Sequence, residues 1–309
     1  MMDTKKRRRR FIPEECNHVY QKTSDDVILF YDREDYLVCY MILSVIAKKH
    51  NIVLLEMCFM IDHIHLLLEA ETREVMADFV RDYSSVFAHE YNVAVGRSGK
   101  VFHKSYGNAP KKGDKKMRST IVYIGNNPVE KKLCKKAEEY RWNFLKYMVD
   151  KNPFSLKTGK CSRALLRLIR QVKEAASSGI YLNYTRIRSM MSKVTDDEQE
   201  VLADYIINAY YPFDDERVLA YYESWRQMTE AMHSTAGSEY EIKERFCQGS
   251  DQVYVDMIKL VKEELGIVPV RSVTALPVEQ KERLAVILHE KCRASYYQIC
   301  RFLQIKKKS

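Results

Sequence analysis

Ile52-Val53-Leu54-Leu55-Glu56-Met57-Cys58-Phe59-Met60-Ile61-Asp62-His63-Ile64-His65-Leu66-Leu67-Leu68-Glu69 is apolar, β-branched and aromatic over a length that suits two buried strands meeting near Asp62 better than one helix. Side chains alternate along a strand, so His63 and His65 share a face while Ile64 and Leu66 point to the opposite layer. Two imidazoles are thus presented side by side, a geometry that serves metal ligation. The pair alone does not define a site, because paired histidines also occur as surface or internally satisfied groups.

Outward from this hairpin, Cys16 to Lys22 alternates as a first strand, and Asp32 to His50 reads as a helix with Tyr36, Val38, Cys39, Met41, Ile42, Val45 and Ile46 as its apolar residues. Thr72 to Asn92 forms a second amphipathic helix with Thr72 as N-cap. Arg97 to Lys112 carries Gly99, Gly107 and Pro110 and suits a loop and a fourth strand. The succession β-α-β-β-α-β places the chain in the α+β class, as a ferredoxin-like antiparallel sheet with helices on one face.

A second stretch, Thr120 to Lys132 (Thr-Ile-Val-Tyr-Ile-Gly-Asn-Asn-Pro-Val-Glu-Lys-Lys), reads as a helix in which Tyr123 and Asn127, four apart, lie on one face. Pro128 biases the residue before it out of the α region, so the helix is expected to loosen at Asn126 or Asn127. A tyrosine and an amide oxygen then sit together at a helix end, available to a metal held by two histidines. The ordinary fate of such a tyrosine is a packed ring with its hydroxyl at the surface, but the company of His63, His65 and Asn127 argues otherwise. The rivals Tyr83, Tyr91 and Tyr106 have no amide four residues on beside a helix end.

His63-Ile64-His65, a long amphipathic segment, Gly99-Lys-Val-Phe-His-Lys-Ser-Tyr106 and Tyr123-Ile-Gly-Asn-Asn-Pro-Val129 follow one another in an order that resembles the single-tyrosine (Y1) HUH transposases, the IS200-like family. Within it the chain is most similar to the REP-associated tyrosine transposases, whose domain commonly carries Tyr-Ile-x-x-Asn-Pro. The similarity covers about the first 150 residues and includes His18-Val19 and Tyr140-Arg141-Trp142. Asp62 departs from the family pattern, which more often has Asn before the first histidine. The resemblance implies an HUH endonuclease fold in which His63, His65 and Asn127 hold a divalent cation and Tyr123 is the nucleophile. Mg²⁺ or Mn²⁺ suits such imidazole and amide donors, whereas a zinc hydrolase would usually bring a third His, Cys or carboxylate. It also implies single-stranded DNA with hairpin structure as partner, cut through a 5′-phosphotyrosine intermediate, and a monomer or homodimer.

The 309 residues, 46% hydrophobic, can bury a sizeable core and suggest two or three domains. We divide them into a basic disordered arm (1–12), the transposase-like domain (13–150), a helical region (151–240) and a trihelical domain (250–309). A net charge of +9 is modest over this length, but it is clustered. Arg7, Arg8, Arg9 and Arg10 lie in an unbroken basic run, Lys104, Lys111, Lys112, Lys115 and Lys116 precede the tyrosine, and Lys131 and Lys132 follow it. These are candidate phosphate contacts, although any one lysine reads equally as solvated surface. The eight cysteines include no Cys-x-x-Cys pair and several fall in apolar runs, as expected of buried reduced thiols. Without a membrane span or a secretory signal, the expectation is a cytoplasmic, nucleoid-associated protein, and the resemblance favours a prokaryotic source.

Beyond Lys151 helices dominate: Ser162 to Ala176, Tyr184 to Ser192, Asp196 to Tyr210 and Asp214 to Met232, then a polar linker at 233–239. Tyr181, Tyr184, Arg186 and Arg188 interleave in a pattern that fits a base-stacking surface or, the preferred reading, a tyrosine-rich core with a basic rim. Val253 to Leu265, stopped by Gly266, Val278 to Cys292 and Ser295 to Leu303 read as a small three-helix core. Ala294 to Leu303 resembles the turn and recognition helix of a helix-turn-helix, which would read duplex DNA through Ser295, Tyr296, Gln298 and Arg301, and equally fits a compact trihelical cap. Two other functions stay open for the whole chain: a catalytically silent domesticated DNA-binding protein, and a metal phosphodiesterase that uses water in place of Tyr123.

Overall fold

The hairpin expected at Asp62 forms between β2 (Val53–Met60) and β3 (His63–Glu69), with Ile61 and Asp62 as its turn. The computed structural model describes residues 11–24, 27–103, 105–155, 161–235 and 251–305. Before the hairpin come β1 (Cys16–Lys22) and α1 (Arg33–Lys49), and after it α2 (Arg73–Val95), β4 (Gly107–Lys111) and α3 (Asp114–Glu130). The four strands pair antiparallel in the order β2-β3-β1-β4. This is the ferredoxin-like sheet expected from the order of elements.

Local chemistry explains the boundaries. Asp32 precedes α1, and the Asp35 carboxylate accepts from the backbone N–H of Tyr31 at 2.9 Å and of Asp32 at 2.8 Å, closing a capping box. Thr72 caps α2, its hydroxyl accepting from Val75 N–H at 3.1 Å, and Gly96 ends that helix at φ +64°, where a side chain would be strained. α3 does not loosen before Pro128 but runs on to Glu130. Proline falls in its last turn, where it removes the intrahelical donor to the Ile124 carbonyl, while the carbonyls of Asn127 and Pro128 accept from Lys131 and Leu133 N–H.

The sheet separates two cores. Val19, Met57, Phe59, Ile64, Leu66 and Leu68 pack against α1 and α2. On the other face, Cys58, Met60 and Leu67 pack against Met117, Ile121 and Ile124 of α3. Burying each such side chain contributes about 1.5–3 kcal/mol. Strand alternation puts His63 and His65 on the α3 side.

The carboxy-terminal half adds α4 (Arg163–Ser177), α5 (Tyr184–Met191), α6 (Asp196–Ala209), α7 (Asp215–Leu219), α8 (Trp225–Thr235), α9 (Gln252–Lys259), α10 (Val278–Cys292) and α11 (Tyr296–Leu303). The single helix expected from Asp214 to Met232 is broken between α7 and α8, because Ser224 starts a new helix by accepting from Gln227 N–H at 3.2 Å. The helix expected to stop at Gly266 widens over Leu260–Glu264 before it does so. Helices α4 to α6 extend the first core, α7 and α8 extend the second, and α9 to α11 form a third with Ile28, Tyr31 and Ile61. Tyr184 is buried, and Arg186 and Arg188 are exposed beside it.

α8 closes on α3 at Gly125, where a Cβ would lie 2.6 Å from Met232 Cε, and Asn126 Nδ2 donates to the Met232 carbonyl at 2.8 Å. Among the described cysteines all thiols are free, but Cys161 is exposed, so not all are buried as expected. Cys247, the basic arm up to Arg10, Lys104 and most of the expected linker lie outside the described residues. No described helix is long and apolar enough to cross a membrane.

Candidate active site

α3 lays Tyr123 across the face of the sheet that carries the histidines. The Tyr123 ring centroid is 5.7 Å from that of His65 and 5.8 Å from that of His18, edge-on to both. His63 and His65, two residues apart on β3, have perpendicular rings with centroids 4.9 Å apart. Asn127 follows Tyr123 by one helical turn and is buried on the same helix. The structure therefore brings Tyr123 and both histidines into one cluster beneath α3.

The outer ring nitrogens are oriented from behind. His63 Nδ1 is 2.6 Å from Asp62 Oδ1, and an ionised carboxylate can only accept, so Nδ1 carries the proton. Burial opposes ionisation of Asp62, yet hydrogen bonds and charge from His63 and Arg301 hold its carboxyl well below the usual range. His65 Nδ1 is 3.0 Å from His18 Nε2. His18 is pushed down to about 3 by burial and then by the Lys111 charge, so it is neutral and can accept from His65. Burial, followed by the charges of His63, His18 and Lys22, also lowers His65. With Nδ1 engaged on each ring, Nε2 is the atom by which His63 and His65 would meet a cation.

This donor chemistry fits a metal with mixed ligands. Neutral imidazole nitrogens and an amide oxygen suit Mg²⁺ or Mn²⁺ with positions left for water and phosphate. No group of three or more His, Cys, Asp or Glu able to hold an ion occurs among the described residues, so a closed zinc-type cage is not formed there. The cluster is nearly sealed, with exposures of 2% at His63, 0% at His65, 8% at Tyr123 and 4% at Asn127.

Several residues around the site were not among the candidates for it, although His18 lies in one of the motifs that carry the resemblance. His18 completes the histidine group through a diagonal contact between β1 and β3, and Tyr20 lies directly opposite both His65 and Gly107. Asp251, next to the start of α9, is buried, and burial followed by the Asp62 charge raises its pKa to about 6. Of the basic candidates, Lys111 is buried, Lys131 is half-buried, and Lys112, Lys115, Lys116 and Lys132 are exposed around α3. Arg301, expected to face duplex DNA, is instead 6% exposed and engaged with Asp62. Gln298 hydrogen-bonds Ser295 at the start of α11 and caps that helix.

Residues 6–127 match the family model described as Transposase IS200 like. Over this stretch the chain is similar to IS200-like transposases. The matched region includes β1 to β4, both strand histidines, Tyr123 and Asn127, so it carries the whole cluster. A solved structure of a REP-associated tyrosine transposase bound to a REP hairpin is similar at 14% identity, covering 50% of this chain and 90% of that one with a TM-score of 0.40. A comparison with curated proteins gave no match. The helices that follow residue 127 thus lie outside the family match and meet the matched segment through packing, hydrogen bonds and ion pairs.

Proposed function

We propose that the chain is a single-strand DNA endonuclease and strand transferase that acts next to hairpins through Tyr123. The observation that carries this reading is the seating of the Tyr123 ring within 6 Å of His65 and His18. The Tyr123 hydroxyl oxygen attacks the scissile phosphorus and loses its proton. The bond from phosphorus to the 3′ oxygen breaks, and that oxygen leaves as a 3′-hydroxyl while the 5′ phosphate stays on tyrosine. The phosphotyrosine ester conserves the energy of the broken linkage, so a returning 3′-hydroxyl can rejoin the strand without ATP.

His63, His65 and Asn127 would hold Mg²⁺ or Mn²⁺, which when bound supplies charge neutralisation at the phosphate. The protein's own part is to fix Nε2 of both histidines toward the site through Asp62 and His18, and to hold the phenol beside them. Lys115 and Lys116 on the exposed start of α3, and Lys112 just before it, would bind flanking backbone phosphates. Because the cluster is nearly sealed, DNA engages it only when side chains at the seam between α3 and the sheet move aside.

The test is a denaturing gel of the chain with labelled hairpin-bearing single-stranded DNA and Mn²⁺. A covalent protein–DNA band is expected, and Tyr123→Phe and His63→Ala/His65→Ala should each abolish it. Cleavage that persists in Tyr123→Phe would point to the water-using phosphodiesterase, and tight binding with no band would point to a silent DNA-binding protein.

A further inference from the structure

We infer that α11 is a working part of the transposase site, with Arg301 acting as a positioning residue that sets His63 through Asp62. The inference rests on the assignment of His63 as a metal ligand made above. Arg301 lies 239 residues from Asp62 in the chain, yet its Nη1 donates to Asp62 Oδ2 at 2.9 Å. Its Nη2 donates to Thr23 Oγ1 at 3.1 Å and to the Val27 carbonyl at 3.0 Å. The other Asp62 oxygen, Oδ1, meets His63 Nδ1 at 2.6 Å.

The geometry divides labour between the two carboxylate oxygens. Asp62 sits in the tight turn between β2 and β3, where its side chain would otherwise be free to swing into solvent. The planar guanidinium, itself held at three acceptors, pins one oxygen and thereby aims the other at the imidazole. A lysine would supply the charge but not the fork. The aimed oxygen selects the Nδ1–H form of His63, which leaves Nε2 as the ligand atom. α11 is in turn anchored, with Tyr31 donating to the Phe302 carbonyl at 2.7 Å and Gln304 Nε2 to Tyr91 Oη at 2.8 Å. Seating of the carboxy-terminal helices and readiness of the metal site are therefore one event.

The deciding experiment measures Mn²⁺ affinity of the full chain without DNA, together with histidine tautomers in long-range ¹H–¹⁵N spectra, for wild type, Arg301→Gln, Arg301→Lys and Asp62→Ala. Thermal unfolding reports whether each variant is folded. Folded Arg301 variants should bind Mn²⁺ roughly 10–100-fold more weakly, the usual size of a lost outer-sphere contact. His63 should change from one tautomer to a mixture. Asp62→Ala/Arg301→Gln should bind no more weakly than Asp62→Ala alone, because the two act in series.

Wild-type affinity and a single His63 tautomer in a folded Arg301 variant would overturn the inference, as would absence of Mn²⁺ binding in wild type. If no Arg301 variant folds, Asp62→Ala decides alone, and unchanged affinity there overturns it. A wild-type chain that binds Mn²⁺ at His63 and makes no covalent DNA product would sink the transesterase reading and leave this one standing.

Discussion

His65 reaches across the sheet to His18, Nδ1 to Nε2 at 3.0 Å, with the two rings stacked at 5.2 Å. A neutral His18 that accepts at Nε2 would give His65 the same service that Asp62 gives His63. His18→Phe keeps an aromatic ring but removes the acceptor. It should lower the rate of covalent-product formation roughly 10–100-fold while the chain stays folded, as judged by gel assays beside a thermal melt. An unchanged rate would mean that His65 needs no partner.

Gly107 is the place where β4 lets Tyr20 lie over the sheet. A Cβ there would fall 1.9 Å from Tyr20 Cζ and 2.1 Å from Cε1. Tyr20 is on the histidine face, with its ring 5.9 Å from that of His18. Gly107→Ala must push that ring aside, and overpacking of this kind costs about 1–3 kcal/mol. Urea denaturation should show that loss, and the double variant Gly107→Ala/Tyr20→Ala should show less steric penalty than the single change predicts by addition.

Arg271 and Asp35 form a buried ion pair, exposed 1% and 0% at their side chains, and the guanidinium lies 4.3 Å from the Tyr184 ring centroid. Asp35 also accepts from two backbone N–H groups at the start of α1. Arg271→Met would strand that carboxylate in the interior, a loss of about 3–5 kcal/mol. Urea denaturation should show the midpoint moving to lower concentration. A loss below 1 kcal/mol would show that water or another cation reaches Asp35.

Asp215 should make stability depend on mild acid. Burial raises its pKa from 3.8 to about 6, against the pull of the Tyr211 hydroxyl at 2.9 Å. The folded chain therefore holds this proton more tightly than the unfolded chain. Its contribution to stability is complete below pH 4 and is lost as pH rises through 6. The loss is at most about 3 kcal/mol, reduced by solvent at this half-buried site. Asp215→Asn should flatten that part of the profile in denaturation at pH 4.5 and 7, and parallel profiles would refute the assignment.

Much of the site was legible because it depends on local periodicity. The two-residue repeat of His63 and His65 and the four-residue repeat of Tyr123 and Asn127 each follow from the geometry of one element. His18 was not legible in the same way, since its contact with His65 is a diagonal one that depends on how β1 registers against β3. Arg301 misled for a physical reason. On a short amphipathic helix an arginine reads as solvent-facing, and only the carboxylate at Asp62, far away in the chain, makes its burial favourable. The break at Ser224 was hidden because the segment on either side has helical periodicity and the hydroxyl cap acts against it.

The close approach at Gly125 bears on how the protein can be divided. Met232 of α8 closes on α3 at Gly125, and Met228 of α8 and Val218 of α7 belong to the same apolar cluster as the sheet face beneath α3. A chain ended near residue 150 would keep every proposed ligand and the nucleophile, yet leave that oily flank bare to water. Such a fragment should clump or bind promiscuously, even with an intact sheet. The matched segment is in this sense not a portable cassette: its proposed ligands and nucleophile lie before residue 130, while part of its apolar cover comes from the helices that follow.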